Sequence, residues 1–431
     1  GMRSFLRDLK PENLEDLIAA IALFRPGPAI NIPLYIKRRH HLEEPTYPDP
    51  ILKTVLESTY GIMIYQEQIM QTANLYAGYT LGESDLLRRA MSKKKVEILQ
   101  KEEAKFLEKS ALMGHDEEKS KELFSFILKF AGYGFNRSHS VCYSLIAYKM
   151  AYLKVTYPKA FYTSLLTSVV SSISKTYEYF IEAKGSGIKI LLPTINESMD
   201  FYQMTKEGIL FPLTNIKGVG EITSRDIIAA RGNEKFSSLY SAISRLLKAK
   251  ISRKTIENLI YAGCFEEFSY NKKTLINNLD NLWSYATLVQ EIDETLIMKP
   301  ELTIEEEYSK KELLEQELDI FGFYFNEHPA SSYRDLYKDT KYINNLANYF
   351  NKNITIIGLI SKIKEVKTKK GDMMAFIDIS DESGNISITL FPKIYLCYHD
   401  ILKGDVIKVE GVVERRNDRL QVIVSNIVIL E

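Results

Sequence analysis

The sequence predicts a multidomain chain, mostly α up to about residue 350 and all-β beyond it. Three observations predict this. Apolar residues recur at three- and four-residue spacing through residues 1–170, the period of helices with one buried face. A short glycine turn, Ile216-Lys217-Gly218-Val219-Gly220, interrupts the helical pattern in the middle of the chain. After residue 350 the period drops to two, as where Ile386, Ile388 and Leu390 alternate with Asn385, Ser387 and Thr389, the pattern of half-buried strands. A length of 431 residues fits several domains, and 45% hydrophobic residues suffice for their cores.

Breakers and caps divide the helical part. Arg25-Pro26-Gly27-Pro28 ends the first helical run, and Pro45, Pro48 and Pro50 mark an irregular stretch, because proline cannot donate to a helix ladder. Thr80-Leu81-Gly82-Glu83 has the spacing of a capping box, which starts a helix carrying Leu86, Leu87, Arg88 and Arg89. A charged helix pair covers about 93–129, and a long helix runs from about Ser140 to Tyr157, stopping before Pro158. Residues 1–174 therefore read as one helical domain.

Residues 175–270 read as a second unit, in which the glycine turn precedes a helix of about 221–231 and a further helix pair ends near Tyr261. Residues 271–350 read as a helical connector, acidic near Glu305-Glu306-Glu307, a run that fits a solvated face. From 351 to 431 five strands can be drawn, at about 354–366, 373–380, 385–391, 405–414 and 419–429, with a short helix between the third and fourth. Ile354 to Ile360 is more continuously apolar than the others, as a strand buried on both faces is. Asp381-Glu382-Ser383-Gly384-Asn385 and Arg416-Asn417-Asp418-Arg419 supply hairpin turns. Strand count and helix position match a small Greek-key barrel of the oligonucleotide-binding (OB) type.

Charge and motif exclude several classes. Lys+Arg 56 equal Asp+Glu 56, which argues against a uniformly basic binder and leaves room for local basic surfaces. Cys142, Cys264 and Cys397 lie too far apart for zinc ligation or a disulfide framework, which fits a reducing compartment. No apolar run approaches the roughly 18 residues of a membrane span. His40, His41, His115, His139, His328 and His399 show no metal spacing. Neither a Walker phosphate loop nor a nucleophile elbow occurs. Asp378 and Asp381 fall in a strand and a turn, where solvated acids are expected.

Four constellations remain. In Phe130-Ala131-Gly132-Tyr133-Gly134-Phe135-Asn136-Arg137-Ser138-His139-Ser140, two glycines permit a tight turn, and Asn136, Arg137, Ser138 and His139 sit just before a helix start. Unpaired amides there, with a guanidinium and an imidazole, suit a polyphosphate; a capped helix entry with Ser138 or Ser140 as N-cap fits the same residues. Arg88 and Arg89, followed by Lys93, Lys94 and Lys95, form a basic helix end, suited to phosphate or equally to solvent. Lys217, Gly218 and Gly220 make a helix-hairpin-helix turn whose amides can face a DNA phosphate, or an ordinary helix–helix turn. Lys362, Lys364, Lys367, Lys369 and Lys370 surround the first barrel hairpin, with Phe376 and Phe391 as stacking rings or core filling.

At these residues the chain resembles the C-terminal portion of the bacterial replicative DNA polymerase III alpha subunit, a C-family polymerase. The resembling stretches are Ala22 to Pro28, Tyr60 to Gln68, Ala77 to Gly82, Leu87 to Met91, Phe130 to Ser140, and Phe321-Gly322-Phe323-Tyr324 with His328-Pro329. The resemblance runs through fingers, tandem helix-hairpin-helix and OB modules, from residue 2 to the end.

The resemblance implies template-directed DNA synthesis from deoxynucleoside triphosphates (dNTPs). Arg88 and Arg89 would contact the dNTP phosphates, the Asn136–His139 turn would lie nearby, and Lys93, Lys94 and Lys95 would point toward DNA or triphosphate. Lys217, Gly218 and Gly220 would hold primer–template duplex. The barrel, with Lys367, Lys369 and Lys370, would lie near single-stranded template. The family's two magnesium ions bind palm aspartates that would lie upstream of residue 1, so the chain reads as a fragment without independent catalysis. A histidinol-phosphatase-like domain is expected upstream and, as in some relatives, a further domain downstream; Gly1 reads as a cloning remnant. The sliding clamp and other replisome subunits are expected partners, in the cytoplasm on nucleoid DNA. Gln316-Glu317-Leu318-Asp319-Ile320-Phe321 superficially fits a clamp-docking peptide. A noncatalytic DNA-binding adaptor of the same modules and a lesion-tolerant paralogue are the rival readings.

Overall fold

Helix caps and a closing barrel organise the chain, as seen in a computed structural model that describes residues 1–93, 96–131, 133–293, 296–398, 400–416 and 419–430. Lys94, Lys95, Gly132, His399, Asn417 and Asp418, all named from the sequence, lie outside the described residues. The chain divides into two units, Gly1–Thr156 and Tyr157–Glu431.

The first unit is helical. Its capping box forms as the spacing predicts: Thr80 N–H donates to Glu83 Oε2 at 2.9 Å, and Glu83 N–H to Thr80 Oγ1 at 3.3 Å. The helix it starts spans Leu81–Lys93. The charged pair becomes Val96–Leu112 and Glu117–Ala131. Leu87, Phe106, Phe124 and Ile127 close over Ile69 and Tyr76 in one core, and Ile18, Leu23, Tyr35, Ile62 and Ile64 form another. The long helix is Arg137–Thr156 and begins earlier than expected. Asn136 is its cap, with Oδ1 accepting from His139 N–H at 2.8 Å. Neither serine caps it: Ser138 is exposed, and Ser140 is buried and donates to Ile18 O at 2.6 Å.

The second unit by contact begins at Tyr157. Tyr162 and Leu166 are buried with Phe180, Ile227 and Ile256, so the segment before 174 shares its core with the helices beyond it. Residues 271–350 pack apolar side chains into the cores on either side. Leu275, Leu279, Leu282, Phe321, Phe323 and Phe325 enter the helical core, while Ile343 and Leu346 join the barrel core. The acids of this stretch also serve it: Glu307 accepts from the Lys272 and Lys273 amides at 3.1 and 3.2 Å. A small sheet has no counterpart in the sequence pattern, because its strands, β1 (Ile190–Leu191), β2 (Gln203–Met204) and β3 (Ile209–Leu210), are too short to show a period.

The barrel strands are β4 (Asn353–Lys367), β5 (Met373–Asp381), β6 (Gly384–Leu390), β7 (Val406–Arg416) and β8 (Arg419–Leu430). They close in the order β4-β5-β6-β8-β7, with the short helix Pro392–Tyr395 between the third and fourth, as predicted. The start of β4 is buried on both faces: Ile356 and Ile360 fill the barrel, and Ile357 and Leu359 pack with Tyr324 and Tyr333. Gly411 sits at a register shift, where a Cβ would lie 2.2 Å from Ile423 O, so no side chain fits there.

Asp381 is not solvated. It is fully buried, bonded to Arg334 Nη2 at 2.7 Å and to the Ile343 and Gly384 amides at 2.9 and 3.0 Å. Arg334 also reaches Glu382 Oε1 at 2.8 Å. Beside this group His328 Nδ1 accepts from Ala330 N–H at 3.2 Å, which leaves Nε2–H to donate to Ser380 Oγ at 3.1 Å. Burial lowers the His328 pKa from 6.5 to about 4. Between those values the unfolded chain binds more protons, so stability is complete above about 6.5 and falls as pH drops toward about 4. The loss is about 3 kcal/mol. Urea unfolding of the wild type and His328→Asn at pH 7.5 and pH 4.5 checks this: the wild type should lose more stability on acidification than the variant by about that amount.

Candidate nucleic-acid interface

Three segments distant in sequence meet in the first unit. Phe135 N–H donates to Ile64 O and Gln66 N–H to Phe135 O, each at 2.9 Å, a strand-like pairing that fixes the turn before the Arg137–Thr156 helix. Arg25 stacks on the Phe135 ring at 4.2 Å and donates from Nη2 to Tyr133 O at 2.7 Å. Gln66 ties in a third segment, since its Oε1 accepts from Arg88 Nη1 at 3.2 Å. In the sequence Gln66 stands out only as part of a resembling stretch; its part in joining Arg88 to the turn depends on tertiary contacts.

Arg88, Arg89 and Arg137 each meet an acid. Asp85 binds Arg88 through Nε at 3.0 Å and Nη2 at 2.7 Å, and Arg89 through Nε at 2.7 Å. Arg88 chiefly holds the Asp85 carboxyl below its ordinary range. Arg137 Nη2 meets Glu15 Oε1 at 2.6 Å, and the Arg137 amide donates to both Glu67 oxygens at 3.0 Å. Thus a carboxylate already accepts from the first amide of the helix expected to cradle phosphate. Asn136 is the cap, Ser138 is exposed, and His139 lies exposed between the Phe135 and Tyr143 rings at 5.4 and 4.6 Å. The backbone of Lys93 ends the Leu81–Lys93 helix.

In the second unit the glycine turn opens the helix Glu221–Arg231. Gly218 has φ +77, which a side chain rarely adopts; Gly220 is the residue before the helix. Asn258 Nδ2 donates to Lys217 O at 2.8 Å, and Lys217 Nζ reaches Asp319 Oδ1 at 2.5 Å. A second turn of the same kind joins Leu239–Lys248 to Arg253–Tyr261. Its left-handed residue is Lys250, φ 61, and Ser252 Oγ caps the next helix by accepting from Thr255 N–H at 3.1 Å. Lys248, Lys250, Arg253 and Lys254 are exposed around it. The sequence does not single out this turn, because it carries no glycine; the available signal was Ser252, a cap between two apolar runs.

On the barrel a cleft of about 1090 Å³ is lined by Phe376, Asp378, Asn385, Ser387, Arg416, Arg419 and Gln421 among others. Phe376 faces outward into it, beneath the Arg416 guanidinium at 5.1 Å. Lys362, Asp378, Ser387 and Gln421 stand opposite one another across β4, β5, β6 and β8. Phe391, half exposed, instead precedes the Pro392–Tyr395 helix. Lys367, Lys369 and Lys370 are exposed at the β4–β5 turn, outside the cleft.

The Gln316–Phe321 segment is helical and partly buried rather than extended and free. It lies in the helix Lys310–Phe321, with Ile320 and Phe321 buried and Glu317 accepting from the Phe325 and Asn326 amides. A docking strand must be free to extend, and this one is folded into a core. Among the described residues no group of three or more His, Cys, Asp or Glu side chains is placed to hold a metal ion. No described helix is long and apolar enough to cross a membrane.

Residues 1–113 match the family described as the bacterial DNA polymerase III alpha subunit finger domain, 187–275 match the helix-hairpin-helix motif, and 354–430 match the OB-fold nucleic acid binding domain. The DNA polymerase III subunit alpha of Bacillus subtilis is 39% identical over 442 residues, covering 100% of this chain and 40% of that protein. That of Halalkalibacterium halodurans is 37% identical over 100% of this chain and 39% of its own, and that of Staphylococcus aureus 38% over 99% and 40%. The chain thus spans about 40% of the length of the relatives it matches. Among solved structures, a domain of replication protein A from Methanococcus maripaludis covers 21% of this chain and 96% of its own, with 24% identity and a TM-score of 0.19.

Proposed function

This chain belongs to the bacterial DNA polymerase III alpha subunit family, and on that premise we propose that it supplies the incoming-nucleotide and DNA contacts of template-directed DNA synthesis. The observation that carries the nucleotide reading is Gln66, which links Arg88 to the Phe135 turn and so gathers the predicted phosphate-binding residues into one region. In this reading Arg88 and Arg89 grip the dNTP phosphates, and Arg137, Ser138 and His139 line the approach beside Asn136. Lys93, Lys94 and Lys95 are assigned to DNA or triphosphate in the same reading.

The hairpins at Lys217-Gly218-Val219-Gly220 and Lys250-Ile251-Ser252 hold duplex through phosphates, which positions DNA without reading bases. The barrel takes single-stranded template, with Phe376 as a stacking ring in the cleft and Lys367, Lys369 and Lys370 as phosphate contacts at the β4–β5 turn. The whole protein would act in the cytoplasm on nucleoid DNA, with other replisome subunits. Magnesium supplies charge neutralisation and nucleophile activation in such a transfer. Among the described residues no three His, Cys, Asp or Glu side chains are placed to hold it, and the part assigned to this chain in this reading is binding and orientation.

The purified chain should bind primer–template DNA and incorporate no nucleotide. Its log affinity should fall steeply against log salt, and Lys217→Ala with Lys250→Ala should flatten the slope by about 2. Fluorescence anisotropy across salt, with a primer-extension assay alongside, measures both; a flat salt dependence or measurable extension refutes the reading.

In a complete enzyme carrying this chain, Arg88→Ala should raise the KM for nucleotide at least about tenfold while changing DNA affinity little. Steady-state kinetics decide, and an unchanged KM rejects the role of Arg88.

Phe376→Ala should weaken binding of a single-stranded thymidine oligonucleotide by about 1–3 kcal/mol, the scale of one lost base stack. Duplex affinity should stay as it was, and anisotropy titrations of the two DNAs separate the effects.

A further inference from the structure

Both arginines of the proposed nucleotide site share a single carboxylate. Asp85 lies one turn before them on the Leu81–Lys93 helix, where positions three and four apart are neighbours. Its Oδ1 takes Nε and Nη2 of Arg88, and its Oδ2 takes Nε of Arg89. Arg88 is gripped from a second element as well, through Nη1 on Gln66 Oε1. Arg89 is held through Nε, the inner nitrogen of its guanidinium, and its side chain is 64% exposed against 31% for Asp85. Its outer edge therefore faces solvent while its direction is set.

Glu83, the other acid on the described part of this helix, is committed to Thr80, Lys105 and Lys109. Two guanidiniums at adjacent positions repel, and each stem has several rotatable bonds. An anion between them both cancels the repulsion and selects one geometry.

We propose that Asp85 is the positioning residue of the nucleotide site: by taking one guanidinium on each oxygen it sets Arg88 and Arg89 as a single phosphate-binding fork. The inference rests on the nucleotide reading above. It differs from simple charge neutralisation in the sign of its consequence. If Asp85 only offset positive charge, removing its charge would tighten binding of a polyanion. If it positions the pair, binding weakens even though the site becomes more positive.

The test uses the full chain and inorganic tripolyphosphate, titrated by calorimetry at fixed salt. Asp85→Asn should weaken binding about five- to tenfold, as two long side chains must then be ordered by the ligand itself. Asp85→Glu, which keeps the charge and moves the oxygens by one methylene, should weaken it about threefold and serves as the second arm should the asparagine variant fold poorly. Combining Asp85→Asn with Arg88→Ala should cost little beyond Arg88→Ala alone, the mark of residues acting as a unit. Tighter or unchanged binding in Asp85→Asn, with Arg88→Ala still weakening it, overturns the positioning role and leaves the nucleotide reading standing. Equal binding by the wild type and Arg88→Ala removes the nucleotide reading and this inference with it.

Discussion

A cation on a flexible stem is placed only when something opposite holds it. That constraint runs through this chain. Asp85 holds Arg88 and Arg89, Glu15 holds Arg137, Asp319 holds Lys217, and Asp280 with Glu257 holds Arg253. Zero formal net charge is therefore compatible with binding nucleic acid. Acids stand beside several of the basic groups as tethers, so a balanced total does not exclude local basic surfaces.

The fold was legible where a period or a cap speaks for itself. The five barrel strands match their predicted spans closely because each alternates or runs apolar over seven or more residues. The two-faced burial of β4 was readable from Ile354–Ile360, since a strand covered on both sides needs apolar residues at every position. What failed was inference from charge. The acidic stretch before Lys310 reads as a solvated connector, but Glu307 caps a helix and the apolar residues on either side complete a core. Asp381 misleads in the same way: a turn acid looks solvated until Arg334, far earlier in sequence, buries it.

The site was half legible for a related reason. Arg88, Arg137, Gly218 and Phe376 announce themselves by residue type and spacing. Asn136 as cap is a local contact three residues long that the serines beside it obscured, whereas Gln66 as link and Glu67 on the Arg137 amide are visible only once segments some seventy residues apart are paired. Lys250 stays hidden because it holds a left-handed turn without glycine, a conformation that a sequence reading assigns to glycine by default.

Burial then sorts these tethers by what they can release. Arg137–Glu15 and Lys217–Asp319 are about half exposed on both partners, and such pairs are worth at most about 1 kcal/mol. A phosphate with more than one charge can take the cation from a carboxylate at little cost. Arg334 and Asp381 are at the other end, 13% and 0% exposed. Breaking such a pair strands a buried charge at a cost of about 3–5 kcal/mol, so it belongs to the frame. Arg88 and Asp85 lie between, at 25% and 31%, with Gln66 as a second anchor. At that depth a pair is costly to dissolve yet open enough to meet a ligand at its edge. A carboxylate there therefore orients its arginines more than it competes for them.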